Sequence, residues 1–327
     1  MSTPATSTTS GLPKPATQPA LPAPKRMTLD KITKGRIERP YRIVLYGTEG
    51  IGKSTFAANA PAPIFLGTED GTAHLDVERF PKPETWEDVK EAVRVLTQDK
   101  HDYQTFALDT LDAAEPLLWE FICKRDGKKS IEDYGYGKGY IAAVDEWRVL
   151  LSALERLQTT RRMHVVLVAH ALVKPFKNPM GEDYDRYQMK LHDKSAGVIK
   201  EWSEEVLFAN FETYAHKDEK TKRVRGVSTG ARLIYTQRIA AYDAKERHGL
   251  PESLPLSWSE FDAAAKAGQV SAPPKLREAI AAGAKELGPD AEKFAAEQIA
   301  KAGDDAVKLA QILNRVNAKV AEKAKEN

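Results

Sequence analysis

The sequence predicts an α/β protein with a mostly parallel central sheet flanked by helices. Three observations predict it: short β-branched apolar runs, helical stretches between successive runs, and a glycine-rich turn directly after the first run. Residues 42–46 (Arg-Ile-Val-Leu-Tyr) end in glycine and read as a buried strand. Further strands are expected at 64–66, 105–108 and 164–169, with helical patterns over 53–60, 86–97, 113–124 and 140–160. Between 206 and 243 the runs shorten, which suits antiparallel strands extending one edge of the sheet.

The flanks differ in composition. Residues 1–26 hold six prolines and no aromatic residue, so little there can be buried, and residues 1–34 are expected to be a disordered tail. The core is expected over 35–267. Beyond Ser271-Ala-Pro-Pro274, residues rich in Ala, Lys and Glu predict a small C-terminal helical appendage over 268–327, built from two or three helices. The 327 residues balance 49 Lys and Arg against 47 Asp and Glu, so any nucleic-acid contact must come from local patches. One cysteine, Cys123, excludes an intramolecular disulfide. The chain shows neither a secretory signal nor an apolar run of the ~18 to 20 residues that span a bilayer. The expectation is a cytoplasmic protein with no membrane partner.

Gly47-Thr48-Glu49-Gly50-Ile51-Gly52-Lys53-Ser54, followed by Thr55, matches the phosphate-loop pattern G-x-x-x-x-G-K-[ST] in full. The pattern arises by chance in roughly 1% of chains this long, and here it also follows an expected strand and opens an expected helix. Glycines let consecutive N–H groups turn toward phosphate oxygens. Lys53 is placed to reach the β- and γ-phosphates of ATP, and the Ser54 hydroxyl to ligand Mg²⁺. Asp109 ends the apolar run 105–108, where a carboxylate can hold the magnesium through water. Alone it would read as a helix N-cap; beside a full phosphate loop the magnesium role is preferred. Just beyond the strand 64–66 stand Glu69 and Asp70, at the edge where ligands of open α/β sheets collect. Glu69 is the first choice for orienting a hydrolytic water, with Asp70 second and a plain surface loop as the alternative.

These residues resemble the RecA superfamily of P-loop ATPases. Phe65-Leu-Gly-Thr-Glu69-Asp is similar to the setting of its catalytic glutamate. Val165-Val-Leu-Val-Ala-His170 resembles the strand that ends in its γ-phosphate-sensing glutamine, with His170 in that place. Asp243-Ala-Lys245-Glu-Arg247 resembles its K-x-K or K-x-R element, which implies that Lys245 and Arg247 reach the γ-phosphate of a neighbouring subunit. Over residues 40–262 the motif order looks like that of phage-encoded RecA-like single-strand annealing and recombination proteins. The resemblance implies a RecA-like core, ATP bound at an interface of a homo-oligomeric ring or filament, and slow, DNA-stimulated hydrolysis. It also implies single-stranded DNA as ligand and a single-strand-binding protein as a partner.

Two segments stand where such proteins carry DNA loops. Lys124, Arg125, Lys128, Lys129, Tyr134, Tyr136 and Lys138 interleave cations and aromatics with glycines, although five cations face three acids, so a flexible surface loop is a rival reading. After His170 come Lys174, Lys177, Arg186 and Lys190, in a stretch that can also form a β-hairpin. Residues 217–247 hold nine cations against four acids and can serve a subunit interface as well as DNA. Alternatives to annealing are a helicase or loader motor, a small-molecule P-loop kinase, and ATP as a non-hydrolysed structural ligand. The chain contains no N-K-x-D guanine-reading motif.

Overall fold

The computed structural model describes residues 27–35, 37–217, 224–270, 273–303 and 306–326. Of the tail expected over 1–34, residues 1–26 lie outside the described residues, as do 218–223 within the basic stretch. The chain divides into two units, Met1–Glu38 and Arg39–Asn327. Among the described residues of the first is one short 3-10 turn, Leu29–Lys31, with no buried residue.

The second unit holds an α/β core. Its strands are β1 (Arg42–Gly47), β2 (Pro63–Gly67), β3 (Glu78–Arg79), β4 (Thr105–Asp109), β5 (His164–Phe176), β6 (Tyr184–Met189), β7 (Glu205–Lys217), β8 (Val224–Tyr235) and β9 (Ser253–Pro255). Among the described residues they run in the order β3-β2-β4-β5-β1-β7-β8-β9. From β3 to β7 every pairing is parallel, and β8 and β9 add an antiparallel edge. The strand ending in Asp109 is therefore separated from the phosphate-loop strand by β5.

Alternation along β1 explains why both faces need cover. Val44 and Tyr46 enter one apolar cluster and Ile43 and Leu45 the other. The first cluster is closed by α2 (Trp86–Gln98), α3 (Leu111–Arg125), α4 (Lys138–Thr160) and α5 (Asp193–Trp202), the helices following α1 (Lys53–Ala58). Trp86 and Trp147 meet edge-to-face there at 5.1 Å. The second face is covered by α1 and by α6 (Trp258–Val270), whose Trp258 and Phe261 pack with Tyr41 and Phe56. Helices α5 and α6 were not among the sequence expectations. Each is short and gains its stability from packing an apolar face, a tertiary effect that propensity does not register.

The stretch after His170 forms a β-hairpin. β5 continues past the parallel sheet, and Ala171–Phe176 of it pairs antiparallel with β6. At the C-terminus α7 (Pro273–Leu287), α8 (Pro289–Ala302) and α9 (Ala306–Glu326) enclose a small core of Leu276, Ile280, Ala284, Ala295, Ala302 and Leu309. No helix among the described residues is long and apolar enough to cross a membrane.

Candidate nucleotide site

The phosphate loop leaves the carboxyl end of β1 and turns into α1. Gly47 pairs with His170 of β5 on one side and Ala209 of β7 on the other. A Cβ on Gly47 would stand 2.2 Å from the Ala209 carbonyl oxygen, so only glycine lets the strand end here at this spacing. Gly52 adopts φ +112°, a left-handed conformation that side chains oppose, and lies beside the Arg232 guanidinium.

Lys53 is buried, and its Nζ donates to the carbonyls of Gly47 (3.1 Å) and Thr48 (2.9 Å). Burial pushes its ammonium below the usual lysine range, against the pull of Asp109 and other acids. The Ser54 hydroxyl donates to Asp109 Oδ2 at 2.5 Å. Burial raises the Asp109 carboxyl, opposed by Ser54 and Lys53. Thr110 is the N-cap of α3, its Oγ1 accepting from the Ala113 N–H, so Asp109 is not spent on capping. A hydroxyl and a buried carboxylate in contact beside a phosphate loop form a hard-oxygen pair of the kind Mg²⁺ takes.

Glu69 is carried to the same place by a staple between β2 and β4. The Thr68 N–H donates to the Asp109 carbonyl, and Thr68 Oγ1 accepts from the Thr110 N–H while donating to the Thr110 carbonyl. The half-buried Glu69 carboxylate, the Asp112 carboxylate and a His170 ring nitrogen lie within 4.8 Å of one another. Asp70 is exposed and pairs with Lys82 at 3.6 Å. Asp112 was missed by sequence reasoning. The only available signal was its place, three residues after Asp109 in the first turn of a helix.

The expected cross-subunit cations diverge. Lys245 Nζ donates to the carbonyls of Lys200, Glu201 and Ser203, at 2.9, 3.2 and 2.6 Å. It caps the carboxyl end of α5 within its own chain, which corrects the expectation that it reaches a neighbour's phosphate. Arg247 anchors through its backbone N–H to Glu205 Oε1 (3.0 Å), and its side chain is exposed.

The loop between α3 and α4 splits in the same way. Lys124, Lys128, Lys129 and Lys138 are exposed, and Tyr136 is fully so. Arg125 is instead ion-paired with Asp126 and Glu146, and the Tyr134 hydroxyl donates to the Ile122 carbonyl and to Asp126. Those contacts hold the loop in shape, with the Arg125 side chain still 43% exposed. On the hairpin, Lys177 is exposed and Lys174 pairs with Asp193. Arg186, expected to meet DNA, is 4% exposed, lies over Phe176 and faces Asp243 at 3.8 Å. A guanidinium so enclosed cannot reach a phosphate backbone, which corrects that expectation. Lys190 is exposed and its Nζ stands 3.9 Å from Asp112, nearer the nucleotide site than the hairpin tip.

A family described as an AAA domain matches residues 39–248, and the chain belongs to it. Over 101 residues the chain is 27% identical to the SPbeta prophage-derived uncharacterized protein YorG of Bacillus subtilis (strain 168). That match covers 30% of this chain and 31% of the relative, about a third of the relative's length. Among solved structures the chain is similar to the RadB recombinase, with 11% identity and a TM-score of 0.36 over 60% of this chain and 80% of that one.

Proposed function

We propose that this AAA-domain protein is a Mg²⁺-dependent ATPase that binds single-stranded DNA and promotes its annealing in homologous recombination. ATP sits at the interface between copies of the chain in a ring or filament. The observation that supports this reading best is the convergence of Lys53, Ser54, Asp109, Glu69 and His170 at one edge of the sheet, around a full phosphate loop. Lys53, already held by loop carbonyls, exchanges them for phosphate oxygens when nucleotide binds. Ser54 and Asp109 would hold Mg²⁺, which would supply charge neutralisation across the phosphates. Glu69 orients the attacking water, His170 senses the terminal phosphate, and Arg247 from a neighbouring copy completes the site.

The exposed cations and Tyr136 of the α3–α4 loop, with Lys177 of the hairpin, are the proposed DNA contacts. The prophage origin of the relative in Bacillus subtilis supports a phage protein acting in the host cytoplasm, where a single-strand-binding protein is its natural partner.

The test is ATP turnover with and without single-stranded DNA, in wild type and Lys53→Ala, with assemblies sized alongside. DNA-stimulated turnover and a large complex, both lost in the variant, are expected. Turnover indifferent to DNA from a monomer would remove annealing and leave only an ATPase.

A further inference from the structure

Asp112 reads His170 twice. One carboxylate oxygen accepts from the His170 backbone N–H at 2.9 Å, and the other meets ring Nδ1 at 2.9 Å. An ionised carboxylate has no proton to give, so the ring nitrogen facing it must carry one. We infer that Asp112 is a positioning residue that fixes His170 with Nδ1 protonated, so that His170 engages the terminal phosphate of ATP through Nε2 only as the imidazolium. This inference rests on the ATPase reading above and on the place of His170 in it.

The chemistry follows from the proton count. A neutral ring held by Asp112 presents a bare lone pair at Nε2, which repels phosphate oxygens. The charged ring presents an N–H there and a full positive charge. Asp112 thereby excludes the neutral Nε2–H ring, the form that would serve as an uncharged donor. The surroundings favour the charged ring on balance. The hydrogen bond to Asp112 raises the His170 imidazole above its usual range, against burial and the charge of Lys53. Burial alone would raise the Asp112 carboxyl, but the hydrogen bonds from His170 outweigh it and the carboxyl lies below its usual range. The other charged groups around the pair are Glu69 after β2, Asp109 on β4, Glu115 on α3 and Lys190 beyond β6. Asp112 itself is 4% exposed, so solvent does not compete for the contact.

Asp112→Asn separates this reading from a purely structural one. Its single carbonyl oxygen can keep the backbone N–H, and its NH₂ then faces Nδ1 and forces the neutral Nε2–H ring. In the full-length protein, wild-type turnover should fall with rising pH above the His170 pKa, toward tenfold per pH unit. Asp112→Asn should be flat over that range. His170→Gln, a donor at every pH, should also be flat, and adding Asp112→Asn to it should change the profile no further. Superimposable profiles for wild type and Asp112→Asn would overturn the inference. A second readout needs no turnover. ¹⁵N-histidine NMR of the full chain, with His170→Gln identifying the signal, should show Nδ1 protonated in wild type and Nε2–H alone in Asp112→Asn. Finding Nε2–H alone at neutral pH in wild type would overturn the inference too. Failure of wild type to hydrolyse ATP would instead defeat the ATPase reading, and the ring signal would still decide the role of Asp112.

Discussion

Gly47→Ala should destabilise the core by about 2–4 kcal/mol, and the magnitude can be worked from contacts. The new Cβ would lie 2.2 Å from the Ala209 carbonyl oxygen and 3.0 Å from the Ala209 Cβ. Ordinary carbon–oxygen contacts between strands are about 3.3–3.6 Å, so β1 and β7 must part by roughly 1 Å at that point. An N–H···O bond stretched from about 2.9 Å to nearly 4 Å is lost. Losing one or two buried ladder bonds costs about 1–3 kcal/mol each. For a core of this size that lowers Tm by about 5–15 °C. Because the Gly47 carbonyl also holds Lys53 Nζ, ATP affinity should fall at least about tenfold, near 1.4 kcal/mol. Thermal denaturation by circular dichroism and titration with a fluorescent ATP analogue read the two effects. The obstructing atom is backbone, so trimming the partner with Ala209→Gly should recover little. Full recovery of Tm in the double variant, or a Gly47→Ala Tm within about 1 °C of wild type, would refute the reasoning.

Four further outcomes are expected. His164 is held neutral, chiefly by burial, with a pKa near 4, and its Nδ1 accepts from the Tyr41 N–H at 2.9 Å. Its folded pKa lies below the unfolded value near 6.5, so its contribution is intact above pH 6.5 and is lost as pH falls toward 4, in all about 3 kcal/mol. Denaturant unfolding at pH 7 and pH 5 should show a smaller loss in His164→Gln than in wild type; equal losses would exclude His164 as the cause. Lys245→Met should lower stability by about 1–3 kcal/mol by freeing part-buried carbonyls at the end of α5. Arg247→Ala should shift stability by less than about 0.5 kcal/mol while cutting turnover by about 10³-fold or more, and the reverse pattern would restore Lys245 as the cross-subunit cation. Tyr136→Ala should leave Tm unchanged and weaken oligo-dT binding by about 1–3 kcal/mol in fluorescence anisotropy. Unchanged affinity would take the α3–α4 loop out of the DNA interface.

What the sequence made legible was whatever is written in consecutive residues. The runs at 42–46, 64–66, 105–108 and 164–169 carry their own period, and each lies inside a strand. The phosphate loop is a nine-residue statement of its own geometry. Unreadable features depend on partners remote in sequence. Lys245 and Arg247 look alike as basic residues two apart, yet one meets the carbonyls of α5 and the other points outward. Arg186 is indistinguishable from a surface arginine until Phe176 and Asp243 are folded against it. Tyr134 and Tyr136 share one loop, and only the first finds a hydrogen-bond partner behind it.

Register explains why the site assembles at all. In a parallel sheet every strand delivers its carboxyl end to the same edge. The pairings Gly67 with Asp109, Asp109 with Val168, and Gly47 with His170 set the ends of β2, β4, β5 and β1 side by side. Residues 47, 69, 109 and 170 thus become neighbours without any local signal that they should. A slip of one residue in any pair would turn the next side chain to the opposite face, taking Glu69, Asp109 or His170 away from the phosphate loop. Asp112 depends on a second condition. It lies on α3, so the pitch of that helix, begun at the Thr110 cap, decides whether its carboxylate meets the end of β5. Two conditions in different elements must coincide for that contact, and this is why a residue so close to Asp109 in sequence carried no readable role.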